Sequence, residues 1–112
     1  MDCLFCKIAA GEIPSTEIYS DDKVYAFKDI DPQAPFHAII IPRCHISGAD
    51  KIDSSNSGEI AAVFEAVAKI AKQENLENGY RVVNNCGADG GQTVGHIHFH
   101  LLARRNLAWP PG

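Results

Sequence analysis

The alternation of apolar and polar residues divides the chain into short strands and one long helix. Residues 24–27 and 80–84 are rich in β-branched and aromatic residues, so each segment predicts a strand. Residues 37–41 are apolar at every position after His37. A continuous apolar run of this length is typical of a strand in the middle of a sheet, and Pro42 closes it.

Residues 56–75 follow a helical period instead. Apolar residues fall three and four positions apart and predict one buried face; they are Ile60, Val63, Phe64, Val67 and Ala71. Asn56 with Glu59 suits the N-terminal cap, and residues 78–79 (Asn-Gly) suit the exit loop. Residues 3–10 predict a short helix or turn that ends at Gly11.

Short strands around one long helix predict an α+β domain with an antiparallel sheet. With 112 residues, the chain fits a single domain, residues 1–112. Only one apolar helical face is available to cover the sheet. One side of the sheet is therefore expected to be covered by a partner chain.

Three histidines stand at every second position, at His96, His98 and His100, within a predicted strand over residues 94–103. Because side chains alternate between the faces of a strand, the three imidazoles share one face, while Ile97 and Phe99 enter the other. Neighbouring imidazoles on one face are about 6.6 Å apart along a straight strand. Two of them could lean onto one metal ion, but all three could not, so at least one has another role.

That role is nucleophile, general acid or base, or donor to phosphate. The alternative is a row of surface histidines without chemistry, but histidine does not usually repeat in this way for packing alone.

Cys3 and Cys6 are separated by two residues, which supplies half of a zinc site. His45 and His96 are the natural remaining ligands, because His98 and His100 are better kept for catalysis. Such a Cys2His2 site would contribute to folding. The alternative is two buried thiols that pack as small apolar side chains.

A glycine-rich loop, residues 86–93, directly precedes the histidines. Its backbone N–H groups can form a concavity for an anion, and Gln92 and Thr93 add side-chain donors. Asp29 ends a strand beside a loop, where its carboxylate could accept from ribose hydroxyls or simply end the strand. Trp109, near the C-terminus, suggests contact with a partner or a ligand, or a fold back onto the domain.

The formal net charge is −4 and the basic residues are scattered, which argues against nucleic-acid binding. The longest apolar runs are far too short to cross a bilayer, and residues 1–2 do not open a secretory signal. Four cysteines without an export signal predict a reducing, cytoplasmic location.

Four segments, in order, resemble the Hint branch of the histidine triad (HIT) superfamily. They are residues 29–35 (DIDPQAP), 41–47 (IPRCHIS), 90–102 with the His-φ-His-φ-His-φ-φ motif (φ, apolar), and 109–112 (WPPG). The resemblance implies a HIT-like α+β fold: a five-stranded antiparallel sheet with one long and one short helix, and two sheets joined across a homodimer. It also implies a purine nucleotide site on each protomer.

By the same resemblance, His98 would attack the α-phosphorus of a nucleoside 5′-phosphoramidate and form a nucleotidyl-histidine that water hydrolyses. His100 and Asn85 would contact phosphate or orient the nucleophile, and Gln92 and Thr93, with Gly91 in the same loop, would hold phosphate oxygens or help to protonate the amine. The nucleoside site would comprise Phe5, Ile8, Phe27, Asp29 and Ile30, with Trp109 approaching from the partner protomer.

Two positions depart from the eukaryotic Hint pattern. Thr93 replaces a serine, which keeps the hydroxyl and adds a methyl group. Cys3 and Cys6 instead resemble the zinc-binding subset of bacterial HIT proteins, in which His45 and His96 would complete a structural zinc site that the chemical step does not need. The expected function is a purine nucleoside phosphoramidase. Alternatives are a dinucleoside polyphosphate hydrolase, a nucleotide-binding regulatory module and a zinc-dependent hydrolase that uses the triad as ligands.

Overall fold

A computed structural model describes residues 2–112 of the chain. The elements follow the order α1 (Leu4–Ala9), β1 (Glu17–Ser20), β2 (Val24–Lys28), β3 (Phe36–Pro42), a 3-10 turn (Ala49–Lys51), α2 (Ser57–Gln73), β4 (Tyr80–Asn84), α3 (Gly87–Gly90) and β5 (Phe99–Ala103). The strands form one antiparallel sheet in the order β1-β2-β3-β5-β4. The predicted α+β fold with a five-stranded antiparallel sheet is confirmed, and the apolar strand β3 lies at its centre.

The two faces of the sheet carry separate apolar clusters, as strand alternation requires. On one face, Ala38 and Ile40 of β3 pack with Val63 and Ile70 of α2. On the other, Ile39 and Ile41 of the same strand pack with α1. The chain's own N-terminal helix therefore covers part of the face for which a partner was expected, over the half formed by β2 and β3.

The long helix differs from its prediction in detail. It spans Ser57–Gln73, and its buried stripe is Val63, Ala66, Val67 and Ile70. Phe64, expected within that stripe, is about half exposed, although its ring contacts Phe99 at 5.6 Å between centroids. Asn56 occupies the N-cap, but its side chain accepts from Asp53 outside the helix instead of from a helical N–H.

Three further differences concern short elements. Strand β1 was not predicted, since residues 17–20 form an edge strand with no strong alternation. Residues 87–90 form a single helical turn rather than a loop. Strand β5 begins at Phe99, five residues later than expected, because its pairing with β4 and β3 starts only there. Within residues 2–112, no helix has the length and apolar character needed to span a membrane.

Candidate functional site

The triad lies where the chain enters β5. Ile97 and Phe99 pack into the cluster beneath α2, and the imidazoles of the triad occupy the opposite face. His98 and His100 are in ring contact, with centroids 5.3 Å apart. The predicted alternation is therefore present, although His96 and His98 precede the regular strand.

One ring nitrogen of His98 is used in a hydrogen bond to the backbone, and the other keeps its lone pair. Its Nδ1 lies 2.8 Å from the carbonyl oxygen of His96. A carbonyl can only accept, so Nδ1 carries the proton and donates it to this bond. The lone pair is left on Nε2. The ring is 4% exposed and meets the ring of Phe5 edge-on at 5.0 Å, which fixes its orientation.

His96 has the opposite arrangement. Its Nε2 lies 2.8 Å from the carbonyl oxygen of Pro42, so Nε2 carries the proton and Nδ1 has the lone pair. That Nδ1 faces Cys3, Cys6 and His45. A backbone carbonyl that holds the far nitrogen of an imidazole is the usual support for a metal-ligating histidine.

Cys3, Cys6, His45 and His96 form the zinc site that the sequence predicts, with all four donor atoms within 4.8 Å of one another. The Sγ atom of Cys3 lies 3.4 Å from Nδ1 of His96, and the Nδ1 atoms of His45 and His96 are 3.1 Å apart. Tetrahedral zinc with its usual bond lengths requires separations of about 3.3–3.7 Å, so the contact of Cys3 falls within this range and the two nitrogens lie within about 0.2 Å of it. The donor set and its geometry therefore fit zinc.

The thiol of Cys6 is protonated unless a cation is bound. Burial, together with the hydrogen bond to Cys3, raises the pKa of Cys6 to about 11. Metal binding must displace that proton, so the affinity of the site for zinc falls as the pH falls.

His100 belongs to a chain of hydrogen bonds that begins in the backbone. The N–H of Gln33 donates to Nδ1 of His37 at 3.0 Å, so the proton of neutral His37 is on Nε2. That Nε2 lies 2.8 Å from Nδ1 of His100 and donates to it. The proton of neutral His100 is consequently on its Nε2, the ring nitrogen that takes no part in this chain of hydrogen bonds.

Asp29 lies beside this chain, with Oδ2 3.3 Å from Nε2 of His37 and 3.8 Å from Nδ1 of His100. These three side chains could also be considered as metal ligands. The separation of 2.8 Å between the two ring nitrogens is that of a hydrogen bond, however, and is shorter than zinc ligation requires. The cluster is therefore a proton-ordering network.

Burial lowers the pKa of His37 and of His100, although the nearby carboxylate of Asp29 opposes the shift in both. Both rings are therefore neutral at neutral pH, which the hydrogen-bond chain requires. Burial also lowers the pKa of His96, which favours the neutral form that can ligate a metal.

An apolar cavity of about 650 Å³ adjoins the triad on the side of β2, β3 and α1. It contains all five residues predicted for the nucleoside site: Phe5, Ile8, Phe27, Asp29 and Ile30. Phe5 also contacts the ring of His98, so one lining residue joins the cavity to the triad. Ile30 is fully exposed and stands at the rim. The volume lies within the range of about 300–1,000 Å³ usual for small-molecule sites.

The glycine-rich loop lies apart from the triad. The side-chain amide of Gln92 donates to the carbonyl oxygens of Ser47 and Val94 and accepts from Gly87, so its polar atoms brace the loop itself. Thr93 lines two cavities near the metal cluster and the loop, and Gly91 is at the end of α3 with φ of +77°. The structure does not bring these three residues to His98.

The two consecutive asparagines have separate positions. The side chain of Asn84 donates to the carbonyl oxygen of His98 at 2.9 Å and holds the backbone of the triad. Asn85 lines a cavity together with His100. Trp109 is 82% exposed near the end of the chain, and it lines neither this cavity nor the apolar one.

His37 and Asn84 are the contributors that the motif did not reveal. The available signal for His37 was a single polar residue at the start of an otherwise apolar central strand. Its partner, His100, is 63 positions away, so only the pairing of β3 with β5 brings them together.

Three alternating imidazoles on a five-stranded antiparallel sheet, with the middle one presenting a free nitrogen, define a histidine triad protein. The family model for the HIT domain matches residues 10–107. The chain therefore belongs to the HIT family and is Hint-like.

Similar proteins agree with this assignment. The chain is 52% identical to a 14 kDa zinc-binding protein of Zea mays, over 97% of this chain and 87% of that protein. It is 42% identical to the adenylylsulfatase HINT1 of Arabidopsis thaliana, over 97% of this chain and 76% of that protein. A HIT family hydrolase from Legionella pneumophila Philadelphia 1 superposes with a TM-score of 0.96 at 48% identity, over 99% of this chain and 100% of that one.

Proposed function

We propose that the protein is a nucleotide-binding hydrolase that cleaves the P–N bond of purine nucleoside 5′-phosphoramidates through a nucleotidyl-His98 intermediate. The observation that carries the proposal is the tautomer of His98. Its Nδ1–H is used by the carbonyl of His96, so the lone pair on Nε2 is directed by the backbone and needs no further base.

Each step can be written with this chain's own groups. Nε2 of His98 bonds to the α-phosphorus, and the P–N bond breaks with its electron pair moving to the amine nitrogen. The Nε2–H of His100 donates a hydrogen bond to an oxygen of the reacting phosphate, since the chain of hydrogen bonds from Gln33 through His37 keeps the proton on that nitrogen, and a water molecule supplies the proton that the amine needs. The hydroxide left by that water then bonds to the phosphorus, the bond from phosphorus to Nε2 of His98 breaks with its electron pair returning to the ring, and the nucleoside monophosphate leaves.

The apolar cavity supports binding of the nucleoside. Phe5, Ile8, Phe27 and Ile30 would contact the purine, and Asp29 at the edge of the cavity would accept from ribose hydroxyls. Asn85 would assist His100 at the phosphate. Gly91, Gln92 and Thr93 would join them after a rearrangement of the loop on nucleotide binding, because the bonds of Gln92 are otherwise internal to the loop.

Zinc would have a structural role. Cys3, Cys6, His45 and His96 would hold it, and it would stabilise the fold by tying the N-terminal segment to the start of β5 without touching the substrate. Within residues 2–112, no disulfide joins any of the four cysteines. This supports a reducing, cytoplasmic setting in which the thiols persist.

We also propose a homodimer. Strand β4 is at one edge of the sheet, and its Tyr80 is exposed, as is Phe64 of α2, whose ring contacts Phe99 of the adjacent strand β5. An edge strand with exposed apolar side chains favours pairing with a second copy. Trp109, which is exposed in the single chain, would then approach the partner's site.

The proposal is tested by steady-state kinetics of His98→Asn with adenosine 5′-phosphoramidate. Asparagine can still donate to the carbonyl of His96 but has no nucleophilic ring, so turnover is expected to fall by a factor of about 10⁴ or more. Binding of AMP should remain within a few-fold of the wild type by calorimetry. Turnover close to wild type in this variant would refute the role of His98.

A second candidate is hydrolysis of adenylyl sulfate, which the name of the Arabidopsis relative favours. The same attack at the α-phosphorus would release sulfate instead of an amine. Rates with adenosine phosphoramidate, adenylyl sulfate and a dinucleoside polyphosphate distinguish the substrates. Nucleotide binding with negligible rates on all three would favour a regulatory module.

A further inference from the structure

The apolar cavity beside the triad has a polar corner. Apart from the charged residues Lys28 and Asp29, its polar side chains are the hydroxyls of Ser15 and Thr16, in the segment before β1. Ser15 is exposed in the free protein, so a base bound in the cavity can cover its hydroxyl and use it. In small-molecule sites, a few polar groups in an apolar lining usually provide the specificity.

The strand order places Ser15 at the end of the cavity away from the triad. The triad leads into β5, which is followed across the sheet by β3, β2 and β1, and Ser15 comes two residues before β1. Asp29 follows β2, and its carboxylate is directed towards His37 of β3, at 3.3 Å. A nucleotide with its phosphorus at His98 and its ribose at Asp29 therefore has the far edge of its base towards Ser15.

Tyr25 fixes the position of this hydroxyl. Its Oη atom lies 2.6 Å from Oγ of Ser15. The phenol ring is buried, stacks on Phe27 with centroids 5.8 Å apart, and has the guanidinium of Arg43 over it. These contacts hold the ring of Tyr25, and the hydrogen bond in turn holds the hydroxyl of Ser15.

The proton shared by the two hydroxyls comes from Tyr25. A phenolic hydroxyl is more acidic than an aliphatic one and is the stronger donor, and within residues 2–112 Oη of Tyr25 has no other hydrogen-bond partner. Ser15 accepts with one lone pair and keeps its own proton for a ligand. Accepting this bond also polarises the O–H of Ser15 and makes it a better donor.

We propose that Ser15 donates a hydrogen bond to N1 of a bound adenine and thereby determines which purine the site prefers. The inference rests on the nucleotide site of the proposed function. On the edge of the base away from the ribose, N1 of adenine is an unprotonated acceptor, whereas N1 of guanine and of hypoxanthine carries a proton. The O–H of Ser15 therefore meets an acceptor in adenine and a second donor in the other two bases.

The test compares AMP with 1-deaza-AMP, in which a C–H group replaces N1. Dissociation constants are measured by calorimetry for the full-length wild type, Ser15→Ala and Tyr25→Phe. Because one neutral hydrogen bond corresponds to a factor of about 3 to 10, the wild type should bind AMP more tightly by that factor. The ratio should approach one in Ser15→Ala. Tyr25→Phe keeps the ring but loses the donor to Ser15, so its ratio should be intermediate.

Ser20→Ala is the matched control. It removes the same hydroxyl from the end of β1, at a residue that does not line the cavity. The ratio of the two dissociation constants should therefore equal that of the wild type. A ratio near one in the wild type, an unchanged ratio in Ser15→Ala, or an equal fall in Ser20→Ala would overturn the proposal.

Turnover of adenosine 5′-phosphoramidate, measured in parallel, separates this proposal from the chemical one. If the substrate is cleaved but the binding ratio does not depend on Ser15, the contact with the base is refuted and the chemistry stands. If the ratio depends on Ser15 but no substrate is cleaved, the contact is supported and the chemistry is refuted. A wild type that does not bind AMP would contradict both.

Discussion

Two histidines of the triad hold their protons on opposite nitrogens, and a backbone carbonyl decides each case. Pro42 fixes the proton of His96 on Nε2 and leaves Nδ1 for the metal cluster. His96 in turn fixes the proton of His98 on Nδ1 and leaves Nε2 for phosphorus. A single residue therefore supports the metal with its ring and the nucleophile with its carbonyl.

The alternation of the motif was sufficient to predict that the imidazoles share a face, because that depends only on the strand period. The motif could not predict the tautomers of His96 and His100, since the deciding partners, the backbone groups of Pro42 and, through His37, of Gln33, belong to distant segments. The role of His37 could not be predicted for the same reason. Its chemical role exists only once β3 pairs with β5.

Replacing His37 tests the proton-ordering chain. In His37→Phe the donor to Nδ1 of His100 is lost, so neutral His100 can place its proton on either nitrogen. We expect kcat to fall about 10-fold to 100-fold with little change in KM. His37→Gln, whose amide can donate to Nδ1, should recover part of the loss. The ¹⁵N chemical shifts of His100 should report the Nε2–H tautomer in the wild type and a mixture in His37→Phe; wild-type shifts in that variant would contradict the account.

The lowered pKa values of His37 and His100 predict a pH-dependent stability. The folded protein binds fewer protons at these sites than the unfolded chain does below the ordinary value of 6.5. Stability should therefore be full above that pH and should decrease as the pH falls through the lowered folded values. Urea midpoints measured from pH 7 to pH 5 should drop less in His37→Gln than in the wild type. An identical drop in both would show that His37 makes no contribution.

Among the secondary-structure elements, the strong patterns were predicted well and the weak ones were not. Strand β3 is apolar throughout and its central position followed from that, because both of its faces are buried. Strand β1 is short and lies at an edge, with only partial burial of its two middle residues, so its pattern carried little information. The start of β5 was predicted too early because His98 is held by a bond from the side chain of Asn84 instead of by strand pairing.

The helix α1 is attached to the rest of the fold by the metal cluster as well as by the apolar packing of Phe5 and Ile8. Cys3 is its N-cap and Cys6 lies in its first turn, so the cluster joins α1 to the segment before β5. Removal of zinc by a chelator should lower Tm by about 10 °C or more, because structural zinc contributes folding free energy directly. Cys6→Ser should show the same loss together with absence of zinc in elemental analysis. Cys86→Ser, at an exposed thiol outside the cluster, is the control and should retain both; a chelated protein with unchanged Tm would contradict a structural role.

On the scale of the whole molecule, an apolar cavity lies beside β2, β3 and α1, and a second cavity, lined by Arg81 and Arg105, lies over β4 and β5. The apolar cavity and the triad could be predicted from the sequence, since the resemblance to the HIT family names their residues in order. The second cavity could not, because Arg81 and Arg105 come from different segments that only the fold brings together. The edge strand β4, through which we propose that the dimer forms, is likewise defined only by the order of strands in the complete sheet.

The dimer predicts that Trp109 acts across the interface. Multi-angle light scattering should give twice the protomer mass of 12.2 kDa for the wild type. Trp109→Ala should alter kcat/KM by several-fold while the mass stays dimeric, since the side chain is exposed in its own protomer. A monomeric wild type would remove the proposed contribution of the partner.

The most direct test of the account is the covalent state of His98 during turnover. Wild-type protein mixed with an adenosine 5′-phosphoramidate and quenched within milliseconds should carry an added adenylyl group. Tandem mass spectrometry at alkaline pH should assign it to the imidazole at position 98, and His98→Asn should show no adduct. A nucleotide found on a different residue, or full turnover with no adduct at any quench time, would contradict the claim that this ring attacks phosphorus.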